Sequence, residues 1–197
     1  KIFFICSLLV FFIFCLNGNT EEFNISAKEV LIDKDSEILI GKGSVQVTDS
    51  EGKIINANQV TYEKSREFLL AEGDVEIIDI DGNILKTEKA TYDKINEIII
   101  TYENTELILG EGYKLIAKNV SYDAKKKILS SGENSIFTDN DGNTIETSMF
   151  QYNVENHLFS SIGKIKIVDV KKNKYFFKEI HVDTKINEMI GSDVSVV

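Results

Sequence analysis

The chain has 197 residues, of which 43% are hydrophobic and 27% are charged, a balance that favours a folded domain and excludes a wholly disordered chain. Its net charge of -10 and pI near 4.8 argue against a nucleic-acid partner, because phosphate binding needs a basic surface that releases counterions. The longest basic runs, KKK at 125–127 and KKNK at 171–174, fall at predicted turns, where solvation explains them.

The N-terminal segment is strongly apolar. Residues 1–16, KIFFICSLLVFFIFCL, are one lysine followed by uncharged residues. This run is shorter than the roughly 18 to 20 apolar residues of a bilayer span and matches the apolar region of a secretory signal. We predict a signal peptide at residues 1–20, with an uncleaved anchor as the alternative. Both cysteines, Cys6 and Cys15, lie in it, so the exported domain is predicted to fold without disulfides.

A unit of 30 residues then recurs. NQVTYEK at 58–64 is followed at intervals of 30 by EKATYDK, KNVSYDA and SMFQYNV, and a fixed period of this size indicates a repeat architecture. One repeat column holds large apolar residues in every unit: Ile32, Tyr62, Tyr92, Tyr122, Tyr152 and Val182. Another column, two residues earlier, contains Val30, Val60, Ala90, Val120, Phe150 and Ile180.

Further apolar columns alternate with polar residues, as a strand with one buried face requires. These columns hold Leu39, Leu69, Ile99, Leu129, Phe159 and Met189, and then Val47, Ile77, Leu107, Phe137, Ile167 and Val197. Within a unit the parity changes, because Ile55 and Ala57 are odd-numbered whereas Val60 and Tyr62 are even. A strand changes its inward parity only through an extra residue or a bend, so we predict a bulge or corner near residues 58–59 and their equivalents.

Turn signals close both ends of each unit. The dipeptides EG, DG, EG and DG begin at residues 51, 81, 111 and 141, and Asp-Gly favours short hairpins. The second turn follows the tyrosine in EKSRE, DKINE and DAKKK. We therefore predict an all-β domain spanning 22–197, with about six two-strand units. A calcium-loop interpretation of DIDGN and DNDGN is disfavoured, because Ile77 and Phe137 stand where the first ligand is needed.

The sequence contains no recognisable catalytic constellation. His157 and His181 are its two histidines, with no Cys or Ser at motif spacing and no Gly-x-Ser-x-Gly elbow. We predict a non-enzymatic protein without a cofactor or metal. A column of small residues invites two interpretations, a tight fold of the sheet or space for an apolar ligand: Gly41, Ala71, Ser131, Ser161 and Gly191.

The stretch ISAKEVLIDKDSEILIGKGSVQVTDSEGKIINANQVTYEKSREFLLAEGDVEIID, following an export signal, resembles the OstA-like domain family. This family comprises the N-terminal domain of the lipopolysaccharide-assembly protein LptD, the periplasmic bridge protein LptA, and LptC. The resemblance implies an open antiparallel β-jelly roll, or β-taco, which accepts the acyl chains of lipid A and pairs edge to edge with neighbours of the same fold. It also implies a periplasmic location.

We predict that the inward-facing columns line the lipid path: Val60, Tyr62, Leu69, Val75, Ile77, Tyr92, Ile99, Leu107, Val120, Leu129, Phe137, Phe150, Phe159, Ile165 and Ile167. The expected partners are lipopolysaccharide, an LptA-like bridge protein and, for an LptD-like chain, an outer-membrane barrel with its lipoprotein. We expect the chain to be an LptD fragment attached to the outer membrane. The alternatives are an LptA-like bridge protein, a structural β-solenoid or adhesin stalk, and a carbohydrate-active enzyme.

Overall fold

The computed structural model describes residues 23–109, 112–186 and 188–196. The segment predicted to be a signal peptide, with both cysteines, lies outside the described residues. A short 3-10 helix at Lys64–Arg66 forms one of the turns. The strands are β1 Asn24–Ser26, β2 Glu29–Asp33, β3 Ile38–Thr48, β4 Ile54–Glu63, β5 Phe68–Ile78, β6 Ile84–Asp93, β7 Ile98–Ile108, β8 Lys114–Lys118, β9 Ser121–Asp123, β10 Ile128–Ser131, β11 Ser135–Thr138, β12 Thr144–Thr147, β13 Phe150–Asn153, β14 Leu158–Val168, β15 Lys174–Asp183, β16 Glu188–Ser192 and β17 Ser195–Val196.

The strands form one antiparallel sheet that follows chain order. Each long strand pairs with the strand before it and the strand after it, as β4 does with β3 and β5. In the middle of the chain the long strands are split in two, so that β7 pairs with both β8 and β9. This meander is an open antiparallel β-jelly roll built from about six 30-residue, two-strand units, and the predicted fold class is confirmed.

The sheet folds over along a crease, which runs through residues 43–44, 58, 73–74 and 88 and their equivalents in later units. Strand registers shift there, between Lys42 and Val45 for β3 against β4. The corner thus lies where the parity change predicted it. The extra residue, however, belongs to the glycine-bearing strand: Gly73 and Asp74 on β5 have positive φ angles of 77° and 48°, and they lie opposite the single residue Asn58.

The crease divides the sheet into two walls. The first wall runs from the crease to the Gly-containing turns and contains β1, β8, β11, β12, β17 and the adjoining parts of β3–β7, β14 and β15. The second wall runs to the turns that follow the tyrosine column and contains β2, β9, β10, β13, β16 and the remaining parts of the long strands. Facing side chains of both walls form one core.

Aromatic rings join the walls inside this core. Phe137 of the first wall lies 5.3 Å from Phe159 of the second wall, measured between ring centroids. Phe150 stacks on the same Phe159 ring at 5.9 Å. Because aromatic side chains bury large apolar areas, this cluster contributes strongly to the closure of the jelly roll.

The small-residue column lies at the crease and is filled by close neighbours. A Cβ atom added at Gly41 would lie 3.2 Å from Val45 Cγ1 and 3.3 Å from Ala27 Cβ. In the equivalent position of a later unit, Thr101 accepts a hydrogen bond at 2.6 Å from the hydroxyl of Thr105. The small residues therefore permit a tight fold of the sheet, and the alternative that they leave space for a ligand is wrong at these positions.

Candidate functional site

A cavity of about 550 Å³ lies between the two walls, on the side away from the crease. Its apolar lining comes from both walls, with Ile77 and Leu107 from the first and Ile99 and Leu129 from the second. Apolar side chains that border a space of this size are typical of sites for small hydrophobic ligands. The arrangement suits an alkyl chain better than a polar substrate.

The cavity opens between two rows of turns, which we call the lips. The first lip contains the turns at 49–53, 79–83, 109–113, 139–143 and 169–173, and the second lip contains those at 34–37, 64–67, 94–97, 124–127, 154–157 and 184–186. Polar side chains at the cavity come from both lips: Lys53, Asp79, Asp81, Asn83, Lys127, Glu155 and His157. A ligand with one apolar and one polar end matches this division between lining and rim.

Most turns of the first lip are stabilised by an Asp and an Asn four residues apart. The Asp79 carboxylate accepts hydrogen bonds from the backbone N–H groups of Asp81 and Asn83, and the Asn83 side chain donates to it at 2.7 Å. The same bonds recur between Asp139 and Asn143. These carboxylates act as turn caps of the Asx type. No group of three or more His, Cys, Asp or Glu side chains in the described ranges is arranged to hold a metal ion.

The first turn of this lip departs from the pattern, because Lys53 replaces the Asn. Lys53 Nζ lies 3.3 Å from the Asp49 carboxylate and donates to the Tyr92 hydroxyl across the lips at 3.4 Å. Burial disfavours the charged ammonium, but Tyr92 and Asp49 outweigh that effect, and the pKa of Lys53 is raised. Burial also raises the pKa of Tyr92, although Lys53 opposes that shift. The turn is thereby tied to the second wall.

The third turn departs as well, because Leu109 and Tyr113 replace the Asp and the Asn. The Tyr113 hydroxyl donates to the backbone carbonyl of Thr184, on the second lip, at 3.1 Å. The Thr184 hydroxyl lies 3.3 Å from the hydroxyl of Tyr152, and the Tyr113 ring stacks on Phe137 at 5.4 Å. This turn, too, joins the two lips.

The two histidines lie in different places. His157 borders the cavity, whereas His181 lies on the outer face of β15. There His181 Nδ1 is 3.0 Å from the Ser160 hydroxyl, and Nε2 is 3.1 Å from a Glu179 carboxylate oxygen. Sequence spacing missed this group because Ser160 is on the neighbouring strand. The His181 and Glu179 side chains are 46% and 45% exposed, so water screens their interaction, and the group is separated from the cavity by the sheet.

All fifteen residues predicted to line the lipid path are buried between the walls. Four of them border the cavity, namely Ile77, Ile99, Leu107 and Leu129. Contact with a lipid stays a prediction for all fifteen. The remaining eleven lie elsewhere in the core: Val60, Tyr62, Leu69, Val75, Tyr92, Val120, Phe137, Phe150, Phe159, Ile165 and Ile167.

Several cavity residues were missing from the predicted set, among them Leu85, Leu109 and Val154. Leu85 belongs to an apolar repeat column and was identifiable by its parity. Leu109 stands where the equivalent turns carry a capping aspartate, so a departure from the repeat was the available signal. Val154 follows the tyrosine strand in a predicted turn, and only the folding of the second lip over the cavity brings it to the site.

The outermost described strands, β2 and β16, each have one edge without a partner strand in the described sheet. Their apolar side chains are correspondingly exposed, with Ile32 at 65% and Ile190 at 74%. A smaller cavity of about 270 Å³ reaches the β2 edge and is lined in part by Phe23, Ile32 and Tyr62. Apolar surface therefore extends from the interior to an open edge. Where the structure describes the chain, it has no helix long and apolar enough to cross a bilayer.

No family model and no curated protein matches this chain. Among solved structures, the chain is similar to the crystal structure of LptH, the LptA-homologous periplasmic component of the lipopolysaccharide transport device from Pseudomonas aeruginosa. The match has 14% sequence identity and a TM-score of 0.27, and it covers 90% of this chain and 94% of that one.

Proposed function

We propose that this chain is a non-enzymatic periplasmic carrier that holds the acyl chains of lipopolysaccharide between its two walls and passes them toward the outer membrane. The observation that supports the proposal is the apolar cavity of about 550 Å³ between the two walls. A filled β-solenoid would leave no such space.

The energetics favour this task. An acyl chain of about twelve carbons exposed to water costs about 10 kcal/mol, at about 0.8 kcal/mol per methylene. Leu107 and Leu129 offer an apolar surface that offsets that cost while the polar head stays at the lips. The protein therefore needs no chemical step, only a protected path with an opening for the polar end.

The open edges support pairing with a protein of the same fold. Within the sheet, Ile38 lies opposite Glu63 and Leu39 lies opposite Tyr62. In the 30-residue repeat, Met189 is equivalent to Leu39, and Ile32 is equivalent to Tyr62. If the same register continued from one molecule to the next, Met189 of the first would therefore lie opposite Ile32 of the second. Edge pairing of this kind satisfies backbone groups and continues the apolar interior. In a stack of identical copies, Glu188 would face Asp33, and like charges in that position are destabilising. We therefore favour a different, LptA-like protein as the neighbour.

Within this function we propose that the chain is the N-terminal domain of an LptD-like protein, which passes lipopolysaccharide to an outer-membrane barrel and its lipoprotein partner. A stand-alone, LptA-like bridge protein is the second candidate, and the same cavity and edges support it equally. Sequencing the reading frame beyond Val197 separates them. Several hundred residues of alternating strands support the first, and a stop codon soon afterwards supports the second.

Photo-crosslinking tests the carrier proposal directly. A photoreactive amino acid at Leu107 or Leu129 in the full chain is expected to form adducts with lipopolysaccharide, because both side chains border the cavity. Ile100 and Leu158 are matched controls, since they are exposed large aliphatic residues of the same described sheet and border none of its cavities. Adducts at the inner positions alone support the proposal. Absence of adducts at both inner positions, in a protein that keeps its β-sheet spectrum, contradicts it.

A further inference from the structure

We propose that an alkyl chain enters the interior through one bounded port between the lips, and that two bridges between the lips mark the ends of this port. The first bridge, from the first lip to the end of the second wall beside the second lip, is Lys53 with Tyr92, and the second, between the two lips, is Tyr113 with Thr184. This inference rests on the proposed carrier function and adds the route of access, which the cavity alone does not give.

The bridges occur where the repeat is broken. In the turns at 79–83, 139–143 and 169–173 an Asp and an Asn satisfy each other within the turn. At 49–53 and 109–113 the capping Asn is replaced by a longer side chain that crosses to the other lip. A lysine or tyrosine is not needed to close such a turn, since Asn closes the others. The two replacements therefore have a role between the lips.

Both bridges are well buried. The Lys53 side chain is 11% exposed and its partner Asp49 is 3% exposed, while the Tyr113–Thr184 bond is buried. Lys53 also lies over the Tyr92 ring, with Nζ 4.5 Å from the centroid, a cation–π geometry. Charge-assisted hydrogen bonds and buried hydroxyl contacts of this kind hold their elements together more strongly than exposed ones.

The cavity lies between the two bridges. Lys53 borders it at one end, and Leu109 and Tyr152, which adjoin the second bridge, border it at the other. Between them the first lip presents the turn that carries Asp79 and Asp81, whose charges act on the half-buried Tyr122 of the second wall. Burial raises the pKa of the Tyr122 hydroxyl, and the charge of Asp79 adds to that shift.

The opposite side of the port is formed by Lys127, Glu155 and His157. The rim thus mixes charges of both signs over an apolar lining. We infer that the ligand is a linear alkyl chain with a polar end group, which enters with the chain first and leaves the end group at the rim. The bridges would limit how far the lips separate and so set the rate of exchange.

A blocking experiment locates the port. Asp81, at the port, and Asp141, two units away on the same lip, occupy equivalent turn positions. Strands are about 4.8 Å apart, so these positions are separated by about 20 Å. In the full chain with Cys6 and Cys15 replaced by serine, Asp81→Cys and Asp141→Cys are labelled with a rigid disulfonated aryl maleimide. Stopped-flow fluorescence then follows uptake of 11-(dansylamino)undecanoic acid.

We expect the label at position 81 to slow uptake at least about tenfold and the label at position 141 to change it less than about twofold. Equal slowing by both labels, or slowing by neither, overturns the port while leaving the carrier function standing, because the probe still binds. A protein that fails to bind the probe before labelling contradicts the carrier function itself, and with it the port.

The bridges are tested with variants that preserve the turns. Lys53→Asn restores the residue found in the other turns, and Tyr113→Phe removes only the hydroxyl. We expect each to raise both the uptake and the release rate of the probe about three- to tenfold, with a smaller change in Kd. Asn173→Ala, which removes a capping bond far from the cavity, is the control. Unchanged rates in both bridge variants, with unaltered thermal unfolding, would overturn their role.

Discussion

The crease and the lips are made by the same 30-residue unit, yet they differ in packing. At the crease, Val45 and Ala27 leave too little room for a side chain at Gly41, Ala71 is buried, and Thr101 and Thr105 share a hydrogen bond. Toward the lips, inward-facing side chains of the apolar repeat columns border a cavity instead. The comparison indicates close packing at the crease around Gly41 and Thr101 and open space between the lips.

The largest test of this difference uses two leucines of one repeat column. Leu69 is 1% exposed in close-packed core, whereas Leu129 borders the cavity. We expect Leu69→Ala to lower the free energy of unfolding by about 3 to 4 kcal/mol and Leu129→Ala by about 1 to 2 kcal/mol, because the cost rises with the new cavity volume that the surroundings cannot fill. Urea denaturation measures both changes.

The same two variants are also compared by their affinity for a ligand, where the larger effect is expected for Leu129→Ala. Leu129→Ala is expected to change the affinity for the dansyl fatty acid, whereas Leu69→Ala is expected to leave it within about twofold once the protein is folded. Equal losses of stability in the two variants would contradict the difference in packing between the core at Leu69 and the cavity lining at Leu129.

Substitution of two glycines, one at the crease and one in a lip turn, tests the difference in packing between these regions. Gly73 at the crease and Gly82 in a lip turn have similar φ angles of 77° and 80°, but an added Cβ would lie 2.8 Å from Asn58 Nδ2 at Gly73 and would meet nothing within 4 Å at Gly82. We expect Gly82→Ala to cost about 1 kcal/mol through backbone strain alone and Gly73→Ala to cost about 2 to 4 kcal/mol. Equal costs, measured by thermal and urea unfolding, would show that crowding at the crease is absent.

The regular strands of this molecule could be predicted from the sequence because each strand position recurs in about six units. Residues such as Val60 and Tyr62 share a parity along one strand, so their inward direction followed from alternation alone, and the structure confirms that both are buried. The corner was also predicted, although the extra residue proved to lie at Gly73 and Asp74 on the neighbouring strand. A change of parity indicates that the register of two paired strands shifts, but it does not show which strand contains the extra residue.

The candidate site was harder to predict, because it depends on contacts between distant units. Lys53 and Tyr92 are 39 positions apart, and Tyr113 and Thr184 are 71 positions apart. No local pattern specifies which turn of one lip faces which strand of the other, since that depends on how the whole sheet twists as it folds. The useful signal was instead the departure from the repeat at Lys53, Leu109 and Tyr113.

The smallest expected effect concerns pH and affects the lips more than the crease. Hydrogen bonds from the side chains of Asn96, Lys126 and Asn173 hold the pKa of Asp93, Asp123 and Asp169, respectively, below the usual 3.8. A carboxyl with a lowered pKa in the folded state stabilises the protein above the unfolded pKa, and this contribution is lost as the pH falls through the folded pKa. Stability should therefore be nearly constant from pH 7 to about pH 5 and should decrease below about pH 4.

Unfolding of Asp123→Asn and Asp169→Asn variants between pH 3 and pH 7 measures this contribution. Each variant should have a flatter pH dependence than the parent, because asparagine does not titrate, and each should be slightly less stable near neutral pH. Since these side chains lie at the surface in contact with solvent, water screens them and the differences should be small. If lip turns loosen first as the pH falls, probe exchange should accelerate before the sheet unfolds. Simultaneous changes in exchange and β-sheet signal would instead mean that lips and crease unfold as one cooperative unit.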